Sequence, residues 1–89
     1  MKDKRVAPRE ALLARAVKTK TTLSDGTVLS GSVHDLSMHG ARVLGDTDDL
    51  HVDDEITLTL LFPLDQHVQY KCRVRHINPD TDFGVEFVQ

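Results

Sequence analysis

The 89-residue sequence predicts an all-β domain, a small antiparallel barrel or sandwich, and two observations support this. Several segments alternate between apolar and polar side chains, which is the pattern of a strand with one buried face. Combinations of Gly, Pro, Asn and Asp that favour turns separate these segments at regular spacing. Five or six short strands connected in this way are typical of an antiparallel barrel.

The first half of the chain contains one ambiguous segment and two predicted strands. Residues 11–22 have a high helix propensity, and propensity alone predicts a helix, with a strand as the alternative. Ser24-Asp25-Gly26 is typical of a turn. We then expect a strand over residues 27–36, with a bulge at Gly31, and a short third strand over residues 40–44. An acidic loop follows, with at most one short helical turn.

The clearest alternation lies in the second half of the chain. In the segment Glu55 to Phe62 the inward side chains are predicted to be Ile56, Leu58, Leu60 and Phe62. The segment Val68 to Ile77 alternates again, and its predicted inward side chains are Tyr70, Cys72, Val74 and His76. A last inward set comprises Phe83, Val85 and Phe87. Two turns separate these strands, Pro63-Leu64-Asp65 and Asn78-Pro79-Asp80.

Candidate binding chemistry lies in the stretch Asp35-Leu36-Ser37-Met38-His39-Gly40. In a strand, Asp35 and Ser37 share one face while Leu36 points to the core. Gly40 permits a left-handed or bulged backbone where a ligand or another chain segment comes close. The alternative interpretation is a plain hairpin turn, because Asp, Ser and Gly also favour turns.

A second candidate cluster is Arg5-Val6-Ala7-Pro8-Arg9 near the amino terminus. Pro8 disfavours a regular helix here, so the two arginines form a fork in a leading arm. Arginine offers planar, bidentate donors that suit phosphate and the O6/N7 edge of guanine. A carboxylate such as Asp35 accepts from amino groups on a base or holds an arginine in place. Together the clusters are complementary to an anionic ligand that carries guanine.

The two motifs in order resemble the PilZ domain, the bacterial receptor module for cyclic di-GMP. Arg5-x-x-x-Arg9 is followed by 25 residues and then by Asp35-x-Ser37-x-x-Gly40. The resemblance extends to Phe83-Gly84-Val85-Glu86-Phe87 near the end of the chain. It implies a six-stranded, antiparallel Greek-key split barrel over residues 11–89, whose first strand begins within residues 11–22, preceded by a flexible basic arm over residues 1–10.

The resemblance also implies a site and a mode of action. Arg5 and Arg9 would bind phosphates and guanine edges, Asp35 and Ser37 would contact a guanine, and Gly40 would give backbone access. Further candidates are Lys4 for a phosphate, and Arg75 and Gly84 as weaker ones. No cofactor is expected besides cyclic di-GMP as ligand. The arm would order on binding, and the signal would pass to an unidentified partner protein.

The charge distribution is compatible with this function and leaves two alternatives open. Residues 1–20 carry seven basic and two acidic side chains, whereas residues 21–89 carry four basic and twelve acidic ones. A small dianion would be attracted to the basic head. One alternative is a ligand-independent protein-interaction adaptor whose arginines pair with the acidic body. The other is a binder of single-stranded nucleic acid, which the net charge of −3 and the predicted inward aromatic rings disfavour.

Other functional classes find little support in the sequence. The five histidines lack HxH or HxxxH spacing, and the single cysteine, Cys72, cannot form an internal disulfide, so we expect neither a metal site nor a disulfide. His34, Asp35 and Ser37 are neighbours in one strand and do not make a catalytic triad, so no enzyme is predicted. No apolar run of about 18 residues exists, and no secretory signal is visible. We therefore expect no membrane insertion and a cytoplasmic location.

Overall fold

The computed structural model describes residues 17–88 and shows six antiparallel strands that close into a barrel. The strands are β1 (Lys18–Thr22), β2 (Val28–Leu36), β3 (Gly40–Gly45), β4 (Glu55–Phe62), β5 (Gln66–Asn78) and β6 (Asp82–Phe87). Their order around the barrel is β1-β2-β3-β6-β5-β4, and β1 pairs with β4 to close it. The connection from β3 to β4 crosses one end of the barrel, as in a Greek key. The prediction of a six-stranded antiparallel barrel is confirmed.

The core consists of side chains from alternate positions along the strands, and these side chains fill the interior of the barrel. Its fully buried members include Val33, Val43, Leu58, Leu60, Val74 and Phe83. The alternation predicted for β4 is confirmed, because Ile56, Leu58 and Leu60 are buried. Burying each such side chain stabilises the fold by about 1.5–3 kcal/mol. The interior also holds Thr19 Oγ1, which has no hydrogen-bond partner within the described residues.

Two bulges lie where the sequence did not predict them. The pairing of β2 with β3 shifts between Val33 and Asp35, and that of β5 with β6 shifts between Val74 and His76. The bulge predicted at Gly31 is wrong, since Gly31 pairs regularly with Thr19 and with Gly45. Glycine is required there for close packing, because a Cβ atom would lie 2.5 Å from the carbonyl oxygen of Leu44.

The β5 bulge reverses the alternation of the strand beyond it. His76 is exposed on the outer face, and Ile77 packs against the core instead. The prediction of an inward His76 is therefore wrong, because the extra residue, Arg75, changes which side chains face inward.

The two ends of the barrel differ in chemistry. One end holds the β1–β2 turn, the β3–β4 loop and the β5–β6 turn, together with Asp25, Asp46, Asp48, Asp49 and Asp80. We call it the acidic end. Crowding by Asp46 and, less strongly, by Asp80 and Asp49 raises the pKa of Asp48. The β3–β4 loop forms no helical turn, whereas the three turns predicted at residues 24–26, 63–65 and 78–80 are confirmed.

Candidate functional site

An outward-facing row of residues crosses four neighbouring strands, β2, β3, β6 and β5. Asp35 lies opposite Arg42, Arg42 opposite Gly84, and Gly84 opposite His76. The next outward row lies farther from the acidic end, and in it Gly40 pairs with Glu86. Because the glycines have no side chains, these rows form a groove of about 390 Å³. Its polar lining consists of Asp35, Ser37, His39, Arg42, Arg75, His76 and Glu86. We call it the polar groove.

The β2 bulge is what directs Asp35 and Ser37 into the polar groove. Val33 points inward, so strict alternation would also turn Asp35 inward. The extra residue at His34 reverses this, so that Asp35 lies outward and Leu36 packs against the core. The prediction that Asp35 and Ser37 share a face is confirmed, although the bulge behind it was not foreseen.

Ser37 fixes the β2–β3 turn. Its backbone N–H donates to the carbonyl of Gly40 over 2.9 Å. Its Oγ accepts from the N–H groups of His39 and Gly40, each over 3.2 Å, and lies 3.3 Å from the Gly40 carbonyl, to which its hydroxyl donates. The hairpin interpretation of the motif is thus confirmed, and the same residues line the polar groove. Within residues 17–88, the hydroxyl makes hydrogen bonds only to backbone groups of the turn.

Two glycines allow the strands to approach closely below the polar groove. A Cβ atom on Gly40 would overlap the carbonyl oxygen of Val85. Gly40 does not have a positive φ, so the left-handed backbone that it would permit is not adopted. The expected close approach of another chain segment is confirmed, and that segment is β6. A Cβ atom on Gly84 would overlap the imidazole of His76. Gly84 therefore forms the groove floor, on the outward face as predicted, with His76 lying over it.

Arg42 is a groove residue that the sequence analysis did not identify. Its Nε and Nη2 donate to Oδ2 of Asp82 over 3.2 and 3.0 Å, while Asn78 Nδ2 donates to Oδ1 over 2.7 Å. The Asp82 side chain is only 4% exposed. The hydrogen bond from Asn78 and then that from Arg42 lower the pKa of Asp82. This ion pair fixes Arg42 at the groove wall. The sequence could have indicated Arg42 as a groove residue, because it lies two residues after Gly40 in a predicted strand.

Arg75 follows the inward-facing Val74 and lines the polar groove from the outer face, as predicted. Its guanidinium lies 3.7 Å from Asp53 Oδ1 and 3.7 Å from Glu86 Oε1. These ion pairs are too long for hydrogen bonds, so no hydrogen bond within residues 17–88 would have to break for the guanidinium to bind an anion. The structure therefore brings together four of the predicted site residues, Asp35, Ser37, Gly40 and Arg75, above Gly84.

The three remaining predicted site residues, Lys4, Arg5 and Arg9, lie outside the described residues, as does the predicted arm. The first described residue, Val17, accepts a hydrogen bond from Val33 N–H over 2.9 Å. The chain thus enters the barrel beside β2, two residues from Asp35. Seven residues lie between Arg9 and Val17, so the eight residue steps allow an extended reach of about 26 Å. This reach is long enough to bring Arg9 to the polar groove.

Comparison with known families identifies the fold and the motifs together. The sequence profile of the PilZ domain matches residues 3–89. The chain belongs to the PilZ domain family. The resemblance inferred from the two motifs is thereby confirmed, and with it a receptor or adaptor kind of function, since PilZ is a ligand-binding family. A search of curated proteins finds no match to this PilZ chain.

Two further properties of residues 17–88 concern metals and membranes. Within this range, no three His, Cys, Asp or Glu side chains are grouped as metal ligands. None of these residues belongs to a helix long and apolar enough to cross a bilayer. Cys72 is buried in the core, and burial raises the pKa of its thiol to about 11.

Proposed function

We propose that this PilZ protein is a cytoplasmic receptor for cyclic di-GMP that acts as an adaptor and catalyses no reaction. The polar groove is its binding site, and Arg5 and Arg9 complete the site from the amino-terminal side. One observation carries the proposal: the β2 bulge turns Asp35 and Ser37 into the groove that Arg75 also lines.

Each groove residue suits one part of the ligand. The Asp35 carboxylate accepts from the N1–H and amino groups on the Watson–Crick edge of a guanine. The Ser37 turn positions that carboxylate and the backbone of Gly40. The guanidinium groups of Arg5, Arg9 and Arg75 bind the phosphates or the O6/N7 edge of guanine, and Lys4 adds a point charge. Gly84 makes room for the imidazole of His76, and a flat base can lie against that ring.

Ligand binding orders the amino-terminal arm over the barrel in this proposal. Ordering costs about 1–2 kcal/mol for each residue fixed. Charge-assisted hydrogen bonds contribute about 1.5–3 kcal/mol each and offset that cost. Because the contacts to the phosphates are ionic, affinity should fall as salt concentration rises. The ordered arm and barrel then present a new surface to a partner protein.

A ligand-independent adaptor is the second candidate, and one observation favours it. The carboxylates at the acidic end are crowded enough to raise the pKa of Asp48. An arginine bound there would relieve the repulsion, and the arm would then pair with the barrel instead of with a nucleotide.

A titration with cyclic di-GMP, followed through backbone amide shifts of the full chain, separates the two candidates. The receptor predicts saturable shifts at Ser37, Gly40 and Gly84, together with shifts at Arg5 and Arg9. Amides at the acidic end, such as that of Asp48, serve as the internal control and should stay unchanged. Absence of saturable shifts in the polar groove at millimolar ligand would refute the receptor.

A further inference from the structure

The long strand β5 is only partly paired on one side. Its residues Gln66–Arg73 pair with β4, and residues Cys72–Asn78 pair with β6. The ladder with β6 extends by one more bond, from Val88 N–H to the carbonyl of Lys71 over 2.8 Å. Beyond that bond, residues 66–70 have β4 on one side and no strand from residues 17–88 on the other.

The free backbone groups on this edge can be assigned from the ladder. In a strand, the N–H and C=O groups of one residue point to the same side, and the side alternates along the chain. The Lys71 carbonyl points towards β6, so the backbone groups of Gln69 and His67 point that way too. This edge therefore presents two donors and two acceptors that pair with no strand of the described part of the chain. Neither proline nor lysine nor a carboxylate protects it over residues 67–69, as usually happens at natural sheet edges.

An apolar slot lies beside this edge, where the strand position of β6 would continue. It has a volume of about 360 Å³ and is lined by Leu36, Ser37, Met38, Tyr70 and Phe87. The rings of Tyr70 and Phe87 stack with centroids 4.4 Å apart and remain half-buried. Met38, on the far lip of the slot, is 82% exposed. Inward-facing Val68 is 38% exposed, so this end of the barrel lacks a cover from the described residues.

We propose that the slot and the β5 edge together bind an extended segment of a partner protein. The segment adds as a strand beside residues 66–70, in line with β6, and directs alternate apolar side chains onto Tyr70 and Phe87. An open sheet edge selects an extended backbone, because only a strand can pair with its alternating donors and acceptors. The occupant is therefore a strand-forming peptide with apolar residues at every second position. This interaction goes beyond the proposed receptor function and does not require nucleotide binding.

The proposal is tested by selecting random seven-residue displayed peptides on the immobilised full chain and measuring their affinities by fluorescence anisotropy. We expect enriched peptides with alternating apolar residues and no central proline. N-methylation of alternate backbone amides should abolish binding, whereas N-methylation of the intervening amides should not. Failure to enrich such peptides would overturn the proposal.

Two matched pairs of variants locate the site. Gln69→Pro removes an N–H that points to the open edge of β5, and it removes no hydrogen bond to β4. It should weaken peptide binding by about tenfold or more. Gln69→Ala keeps that N–H and should bind like the wild type. Met38→Asp places a charge on the slot lip and should also weaken binding by about tenfold or more, while Leu64→Asp, at the neighbouring β4–β5 turn, should bind like the wild type. Met38 is exposed, so its variant remains informative even if Gln69→Pro fails to fold.

Three outcomes contradict a partner strand. Equal binding by Gln69→Pro and Gln69→Ala, with both variants folded by circular dichroism, would exclude pairing at the edge. Binding that appears only after removal of residues 1–16 would assign the slot to the chain's own amino-terminal segment. A concentration-dependent dimer in sedimentation, lost in Met38→Asp, would assign the slot to a second copy. Alternating peptides that bind the monomeric full chain through both Gln69 N–H and Met38 would support the proposal.

Discussion

Asp35 lies directly opposite Arg42 on the outer face of the barrel, because a one-residue bulge shifts β2 against β3. Arg42 is bound to Asp82 on its other side, so it does not neutralise Asp35 through a hydrogen bond in this structure. The Asp35 side chain is thus exposed in the polar groove, and its carboxylate accepts no hydrogen bond from residues 17–88. This relationship makes Asp35 the first residue at which to test ligand binding.

Replacing Asp35 by alanine should reduce the affinity for cyclic di-GMP by about tenfold to 150-fold, the loss of about 1.5–3 kcal/mol from charge-assisted hydrogen bonds. The thermal midpoint should hardly change, because the side chain is exposed. Isothermal titration calorimetry and a melting curve measure the two effects. Asp48→Ala, at the acidic end, is the charge-matched control and should bind like the wild type.

Replacing Gly40 by alanine should destabilise the barrel by about 1–3 kcal/mol, because the new Cβ atom meets the Val85 carbonyl oxygen. Urea unfolding followed by circular dichroism gives the free energy of unfolding. Ser30→Ala, at an exposed position of β2, should change that free energy by less than about 0.5 kcal/mol. Equal stability of the Gly40→Ala variant and the wild type would show that β3 and β6 are less closely packed than described here.

Asp82 should make the stability of the barrel depend on pH. Its hydrogen bonds from Asn78 and Arg42 lower its pKa below the ordinary value of 3.8. The unfolded chain therefore binds a proton at higher pH than the folded chain, and stability is lost as pH falls from 3.8 through the folded pKa. Asp82→Asn should be less stable at pH 7, and its urea midpoint should fall less between about pH 5 and pH 2 than that of the wild type. Parallel pH profiles for the two proteins would contradict this role of Asp82.

Cys72 should react with thiol reagents only when the barrel opens. Its thiol is buried, and its pKa of about 11 keeps it protonated at neutral pH. Labelling with a disulfide reagent at pH 7.5 should be slow and should accelerate in Leu58→Ala, which loses about 2–5 kcal/mol of stability. Rapid labelling of the native wild type, at the rate of a free thiol, would show that Cys72 is accessible.

The barrel could be predicted from the sequence because apolar and polar residues alternate over long segments. In β4, four consecutive inward positions are apolar, and the turn residues on either side fix the strand ends. The bulges were not predictable, since His34 and Arg75 have side chains that fit a regular exposed strand position equally well. The outward position of His76 depends on the β5 bulge, so the sequence motifs named Asp35 and Ser37 but could not indicate His76. Arg42 could have been identified, because it lies two residues after Gly40 in a regular strand.

The roles of the glycines could be predicted only in part from the sequence. Gly31 was interpreted as a bulge, yet it is required because a neighbouring strand passes too close for a Cβ atom. For Gly40 a close approach was expected, but the sequence could not name β6 as the approaching segment. Such contacts between strands distant in sequence depend on the barrel closing, which local patterns do not describe.

The central claim is that Arg9 and the polar groove bind cyclic di-GMP together, and calorimetry of the Arg9→Ala variant tests it most directly. We predict saturable binding to the wild-type chain, weaker at high salt, and no detectable binding to Arg9→Ala, whose thermal midpoint should equal that of the wild type. An Arg9→Ala protein that binds cyclic di-GMP with wild-type affinity would contradict the account.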